Sequence, residues 1–187
     1  MVLVSMLILT LAAASLVRKA LATASASGMI AVRYNLALAG LSAVEAGAAI
    51  AAGGAAAPDL DVDAPSANYY AWRHPGEDAR GVPAALQTRD AFPPGARVLT
   101  AGDLAVRYVV ERLCVAPGPA APERCTLSPP SVAAVSGSPE PGEQAPAPYY
   151  RVSARIDAPD GSAGYVQAML GPGSAAKRVA WRIVDEP

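Results

Sequence analysis

The first 57 residues contain no proline, and all 18 prolines of the chain follow them. Inside a helix, proline removes a backbone hydrogen bond and its ring clashes with the preceding turn. Only the opening third of the sequence is therefore free to form one long helix. That third carries four charges (Arg18, Lys19, Arg33 and Glu45) and one aromatic residue, Tyr34. The about 130 residues that remain suffice for one modest core. The expected division is residues 1–57 as a transmembrane and amphipathic helix and 58–187 as a β-rich head with irregular loops.

Sixteen acidic and fifteen basic side chains leave a formal charge of −1. Such a balance offers no basic surface for nucleic acid. Cys114 and Cys125 are the two cysteines. An even count in a chain with a membrane or export segment favours a disulfide, with two buried free thiols as the alternative. Two cysteines and the distant His74 do not make a tetrahedral metal set.

Residues 1–17, MVLVSMLILTLAAASLV, carry no charge. At 1.5 Å per residue they reach roughly 25 Å, near the lower limit for a bilayer crossing. Arg18 and Lys19 can snorkel, so residues 20–32 add apolar length. Ser25, Ser27 and Gly28 are poor helix formers, and the helix is expected to loosen there. A cleaved signal peptide would use small residues such as Ala22-Thr23-Ala24, but no positive charge precedes the apolar run. A plain signal anchor puts the carboxyl end in the cytoplasm by the positive-inside rule, which conflicts with a disulfide. A basic leader before Met1 would remove the conflict. Beyond Arg33 the helix is expected to continue to about residue 52. Gly40 and Gly47 permit close approach of a neighbouring element, Glu45 is its only acid, and Gly53, Gly54 and Pro58 end it.

Residues 58–96 read as an irregular connection. Asp59, Asp61 and Asp63 alternate in PDLDVDAP, but Ala64 and Tyr70 stand where a calcium-binding EF-hand loop needs glycine and glutamate. A solvated acidic loop follows, pinned to the core by Tyr69, Tyr70 and Trp72. The runs 104–113, 150–157, 165–170 and 177–184 alternate as strands. In the second, Tyr150, Val152, Ala154 and Ile156 point one way and Arg151, Ser153, Arg155 and Asp157 the other. In the last, Val179, Trp181 and Ile183 point inward. Pro159-Asp160-Gly161 is a turn signal that makes 150–170 a hairpin. The pattern predicts an antiparallel sheet of about four strands with one buried face, covered by the second half of the helix. Glu111, Asp157 and Asp160 are expected in exposed cross-strand pairs. Residues 115–148 read as loop, with SGSPEPGEQAPAP (136–148) low in complexity and mobile.

No catalytic constellation emerges. His74 lacks a nucleophile motif around it and reads as a loop residue. No phosphate-binding glycine pattern occurs, so nucleotide binding has no support. The chain is not expected to be an enzyme or to hold a cofactor or metal.

Three segments carry a resemblance. VLVSMLILTLAAAS looks like the start of a mature pilin helix. LSAVEAGAAI (41–50) is similar to an aromatic-Gln-Ala-Ala-Glu-Ala-Ala segment, with Glu45 on its glutamate. RYVVERLC (107–114) with a second cysteine after it, and YYRVSARIDAPDGSAGYVQAML (149–170), are similar to that family's carboxyl-terminal sheet. Together they cover about half the chain, and it resembles the PilX-type minor pilins of type IV pili, chiefly of Gram-negative bacteria. The resemblance implies a pilin-like α+β fold and a protein of the inner membrane with a periplasmic head, later part of the fibre. Its partners would be other minor pilins, the major pilin and the inner-membrane assembly platform, with motor work left to a separate ATPase. Ala12, Ala13 and Ala14 would permit helix packing in the fibre, as would Gly40 and Gly47. Two departures stand out: prepilins carry a basic leader ending in glycine, and many pilins have glutamate at the fifth mature position. If Met1 is the first mature residue, Ser5 stands there, and the protein belongs where no subunit lies above it, at a tip. A type II secretion pseudopilin shares the architecture. From another class, a periplasmic binding module on a signal anchor would use the acidic loop as its ligand site.

Overall fold

The computed structural model describes residues 2–53, 57–128, 131–134, 141–144, 146–171 and 178–184. The protein is α+β: an apolar amino-terminal helix and a mixed sheet of six strands. Helix α1 runs unbroken over Val2–Ala51. The expected loosening at Ser25, Ser27 and Gly28 does not occur: alanine and other good formers on both sides outweigh a few weak positions. The end is as the sequence predicts. Gly53 adopts a left-handed φ of 66°, and its N–H reaches the Ile50 carbonyl at 3.0 Å.

The chain divides into two compact units, residues 1–36 and 37–187. Within the second, the end of α1 lies on the sheet. Ala39, Gly40, Ala43, Val44 and Gly47 are buried there, spaced three and four residues apart on one helical face. Val32–Ala51 is long and apolar enough to cross a membrane, with mean hydropathy 1.3. About a quarter of that span, 28%, is buried, on the face that meets the sheet.

The strands are β1 (Tyr69–Tyr70), β2 (Val98–Ala101), β3 (Leu104–Arg112), β4 (Ser131–Ala134), β5 (Pro141–Gln144), β6 (Tyr150–Asp157), β7 (Ala163–Leu170) and β8 (Arg178–Val184). The main sheet has the order β1-β3-β6-β7-β8, and β2 pairs with β3 beyond β1. All pairs are antiparallel except β1–β3. The sheet thus has six strands, not about four. The two extra members are short: β1 lies in the connection read as irregular, and β2 follows directly after it. Asn68 sets their place. Its backbone is left-handed (φ 62°) and its side chain is buried. It donates to the Tyr108 and Arg97 carbonyls at 2.7 and 2.9 Å and accepts from the Arg97 N–H at 2.8 Å. One amide thereby ties the start of β1 to β3 and to the residue before β2.

β6 and β7 form the predicted hairpin. Gly161 has φ 89°, and Ala158 exchanges hydrogen bonds with Gly161 and Ser162. β4 and β5 form a separate two-stranded ribbon inside the segment expected to be loop. Its composition is poor in strand formers, so backbone pairing there leaves little trace in the sequence. Of the run 136–148, residues 136–140 and 145 lie outside the described set, and Pro141–Gln144 are strand.

The prediction of one buried face fails in an informative way. Burial along β3, β6 and β7 covers consecutive residues, not alternate ones. One face carries Val110, Val152 and Val166 against α1. The other lies beneath the connection 58–97, whose helix α2 (Ala84–Gln87) places Leu86 in a second small core with Val82, Val109, Tyr165 and Val184. Nearly forty residues without secondary structure would be unusual in a compact domain; this strap has a sheet face to cover. On β8, Val179 is 63% exposed, a correction to its inward placement, while Trp181 and Ile183 are half-buried. An edge strand has a neighbour on one side only, which leaves its first residues open.

At Gly47 a Cβ would sit 2.5 Å from a Val152 methyl and 3.2 Å from a Val110 methyl. Gly47→Ala is expected to destabilise the head by about 1–3 kcal/mol through overpacking. The exposed neighbour substitution Ala49→Gln should stay within about 0.5 kcal/mol of the parent. Denaturant midpoints read by near-ultraviolet circular dichroism distinguish the two, and equal midpoints would refute the close-contact account.

Candidate functional site

Three regions hold the residues singled out in the sequence. The first is the α1–sheet seam. Gly40 faces the Val166 methyls and the Trp181 ring, where a Cβ would meet atoms at 2.9–3.0 Å. Gly47 meets Val152 and Val110. The two glycines are used inside the head rather than held open for another subunit. Glu45 and Ala14 are exposed on the helix. The side chains of Ser5, Ala12 and Ala13 lie outside the described residues.

The second region is the sheet face under the strap. Glu111 and Asp157 are 1% and 3% exposed, which overturns their placement in exposed pairs; only Asp160 is exposed. A buried carboxylate must be paired and hydrogen-bonded, and both are. Asp157 accepts from Arg155 at 2.9 Å, Arg89 at 3.1 Å and Arg107. Glu111 accepts from Arg151 at 2.5 Å, and Arg151 also holds Glu77 of the strap at 2.6 Å. Arg155 donates to the Gln87 carbonyl at 2.7 Å and the Tyr165 hydroxyl at 2.7 Å. Gln167 donates to the Gly81 carbonyl at 2.6 Å. Burial pulls against ionisation at Asp157, and the guanidinium groups of Arg155, Arg89 and Arg107 outweigh it, holding the carboxyl below its ordinary range. At Glu111 burial wins and pushes the carboxyl up, against the pull of Arg151.

The third region surrounds the cysteines. Cys114 and Cys125 form a disulfide, S–S 2.08 Å. Beside it Arg112, 2% exposed, donates to the Ala71 carbonyl at 2.9 Å, to Asp61 at 2.9 Å and to the Gly118 carbonyl. One guanidinium joins the acidic loop, the end of β1 and the disulfide loop. The acidic run is not a freely solvated loop. Asp61 holds Arg112, and Asp59 accepts the Asp61 N–H at 3.0 Å. Asp63 accepts from the Ala71 N–H at 2.7 Å and Trp72 Nε1 at 3.3 Å and pairs with His74 Nε2 at 2.8 Å. Tyr69 is fully buried with its hydroxyl on the Leu60 carbonyl at 2.7 Å, and Tyr70 packs against the core around Val82 and Leu86, so the pinning role read from the aromatics holds for these two, while Trp72 contacts Asp63 and His74 within the loop itself. His74 is a loop residue, packed on the Tyr70 and Trp72 rings at centroid distances of 4.7 and 4.4 Å. Among the described residues, no hydroxyl or thiol is hydrogen-bonded to His74, so this pair has no nucleophile to activate.

No protein family, curated protein or solved structure matches the chain. Sequence reasoning missed the strap's ionic partners, Glu77, Arg89 and the carbonyls of residues 81, 86 and 87. The signal was present: five charged positions on strands β3 and β6 (Arg107, Glu111, Arg151, Arg155 and Asp157) face a connection that carries complementary charges.

Glu77 sets a pH dependence. Its carboxyl lies at about 2 against an ordinary 4.5; the hydrogen bond from Arg73 is the main cause, burial opposes it, and Arg151 adds to the lowering. A carboxyl depressed in the folded state adds stability that is complete above its ordinary value and is lost as pH falls through the folded value. The head should therefore weaken between about pH 4.5 and 2, and Glu77→Gln should flatten that limb in denaturation measured against pH. An unchanged limb would remove Glu77 from the account.

The disulfide closes a short loop, and its loss should cost roughly 2–3 kcal/mol through added unfolded-chain entropy. Comparing denaturant midpoints of the Cys114→Ser/Cys125→Ser double variant and the parent checks this, and equal midpoints would contradict it.

Proposed function

We propose that this protein is a minor pilin that helps initiate and assemble type IV pili within a priming or tip complex. The carrying observation is the unbroken helix over Val2–Ala51, whose second half is built into the head by Ala39, Gly40, Ala43, Val44 and Gly47. In the unit before it, Leu16, Val17, Ile30 and Val32 are large, apolar and 58–69% exposed. An apolar helical segment continuous in sequence with a folded head suits a subunit that leaves lipid for a bundle of like helices, where packing replaces lipid contact. On this reading the helix sits in the inner membrane and the head in the periplasm, where a disulfide is stable. Other minor pilins, the major pilin and the assembly platform are its partners.

A type II secretion pseudopilin has the same architecture, and no described feature favours it over the pilus. The calcium form of the binding-module alternative loses support, because Asp61 and Asp63 are already engaged by Arg112, Trp72, His74 and backbone.

The test is genetic and biochemical. Deleting the gene should lower the number of surface fibres, complementation should restore it, and the protein should be found in sheared fibres or in a membrane complex with other pilin-like subunits. Unchanged fibre number together with no association with any pilin-like subunit would reject the proposal.

A further inference from the structure

The strap and the disulfide loop leave a cleft between them of ≈ 520 Å³. Sites for small molecules occupy roughly 300–1,000 Å³. It is lined by Trp72, His74 and Pro75 of the strap and by Leu113, Cys114 and Val115 beside the disulfide, two segments joined where the Arg73 N–H donates to the Cys114 carbonyl at 2.9 Å. Arg73, Glu77 and Thr126 are the polar members.

Three features define what fits. The first is charge. Arg73 grips Glu77 through Nε and Nη2, both at 2.6 Å, and His74 is paired with Asp63. Each ionic group at the cleft is already matched within the protein, so a charged ligand would have to break a pair to enter. The second is the ring surface. The Trp72 N–H is engaged by Asp63 and the indole packs on the His74 ring at 4.4 Å, so what this pair of lining residues offers a ligand is ring surface rather than an indole donor. The third is the polar edge. The Arg73 side chain is 57% exposed, and among the described residues its Nη1 makes no protein hydrogen bond. Its N–H groups lie beside the Glu77 carboxylate, which places donor and acceptor side by side. A hydroxyl both donates and accepts, and so matches that edge.

The geometry points to a binding site for a neutral pyranose, with the sugar's aliphatic face on the Trp72–His74 rings and its hydroxyls on Arg73, Glu77 and Thr126. The site lies within the head and does not rest on the assembly proposal, so either can fail alone. Arg73 is a binding residue here, and its exposure means that Arg73→Ala leaves the buried Glu77–Arg151 pair in place.

The experiment uses the full chain in a zwitterionic detergent, since sugar-headed detergents would compete. Only two tryptophans are present, so Trp181→Phe leaves Trp72 as the sole indole reporter. Methyl α-D-glucopyranoside, methyl β-D-galactopyranoside and methyl N-acetyl-β-D-glucosaminide are titrated to roughly 100 mM, well above a millimolar dissociation constant. Saturation-transfer NMR on the unsubstituted chain reads the same binding without the Trp181 change. The expected result is saturable binding of at least one glycoside, weakened about tenfold or more by Arg73→Ala, which is about one decade in the binding constant. Absence of saturable binding with all three, equal binding to Arg73→Ala, or tighter binding of glucuronate than of the neutral sugars would overturn it.

Discussion

Charge burial on one face of the sheet governs the rest of the head. Glu111, Arg151, Arg155 and Asp157 sit where the strands alternate, and two of these four are carboxylates with almost no exposure. Removing an ion from water costs several kcal/mol even after relaxation, and breaking one partner of a buried pair costs a comparable amount. The strap must therefore bring Glu77, Arg89 and a series of backbone carbonyls to that face, and its path over 58–97 follows from those obligations. Its apolar anchors among the described residues are the group around Val82 and Leu86 and the buried Tyr69 and Ala71. Position along the rest of the strap is fixed by hydrogen bonds, which are directional, where apolar contacts would allow sliding.

The opposite face uses different physics. Gly40 and Gly47 bring the α1 backbone close to Val110, Val152 and Val166, and the contact is one of shape. A sheet packed by small residues on one side and by ion pairs on the other responds differently to its surroundings on each. Salt and acid act on the strap side, whereas substitutions of volume act on the helix side.

Much of this was legible in the sequence. The proline-free opening, the Gly53 stop, the β6–β7 hairpin and the cysteine pair each carry local signals that tertiary context does not override. The alternation on β6 assigned every side chain to its correct face. What alternation could not show is whether the polar face meets water. Arg151 and Asp157 look the same in sequence whether solvated or paired under a strap, because only a distant segment decides. The short strands β1 and β2 were hidden for a related reason. Tyr69–Tyr70 is too brief to show a period, and its parallel pairing is set by the buried Asn68 amide. At the site, His74 and the three aspartates were recognisable as loop residues, but the pairing of Asp63 with His74 and the Arg112 hub join residues too far apart in the chain to show in its pattern.

The two margins of the sheet are unequal. On one, β1 and β2 both pair with β3 and divide its outer side between them. On the other, β8 pairs only with β7 among the described residues and leaves peptide donors and acceptors facing outward. Such an edge is a template on which a strand from a second molecule can grow. Arg178 and Arg182 lie along it, and Arg178 also covers the Trp181 ring at 5.5 Å. Two like molecules meeting edge to edge would bring positive charge against positive charge. Among the described residues the opposition to such growth is charge repulsion, and it weakens as salt screens it.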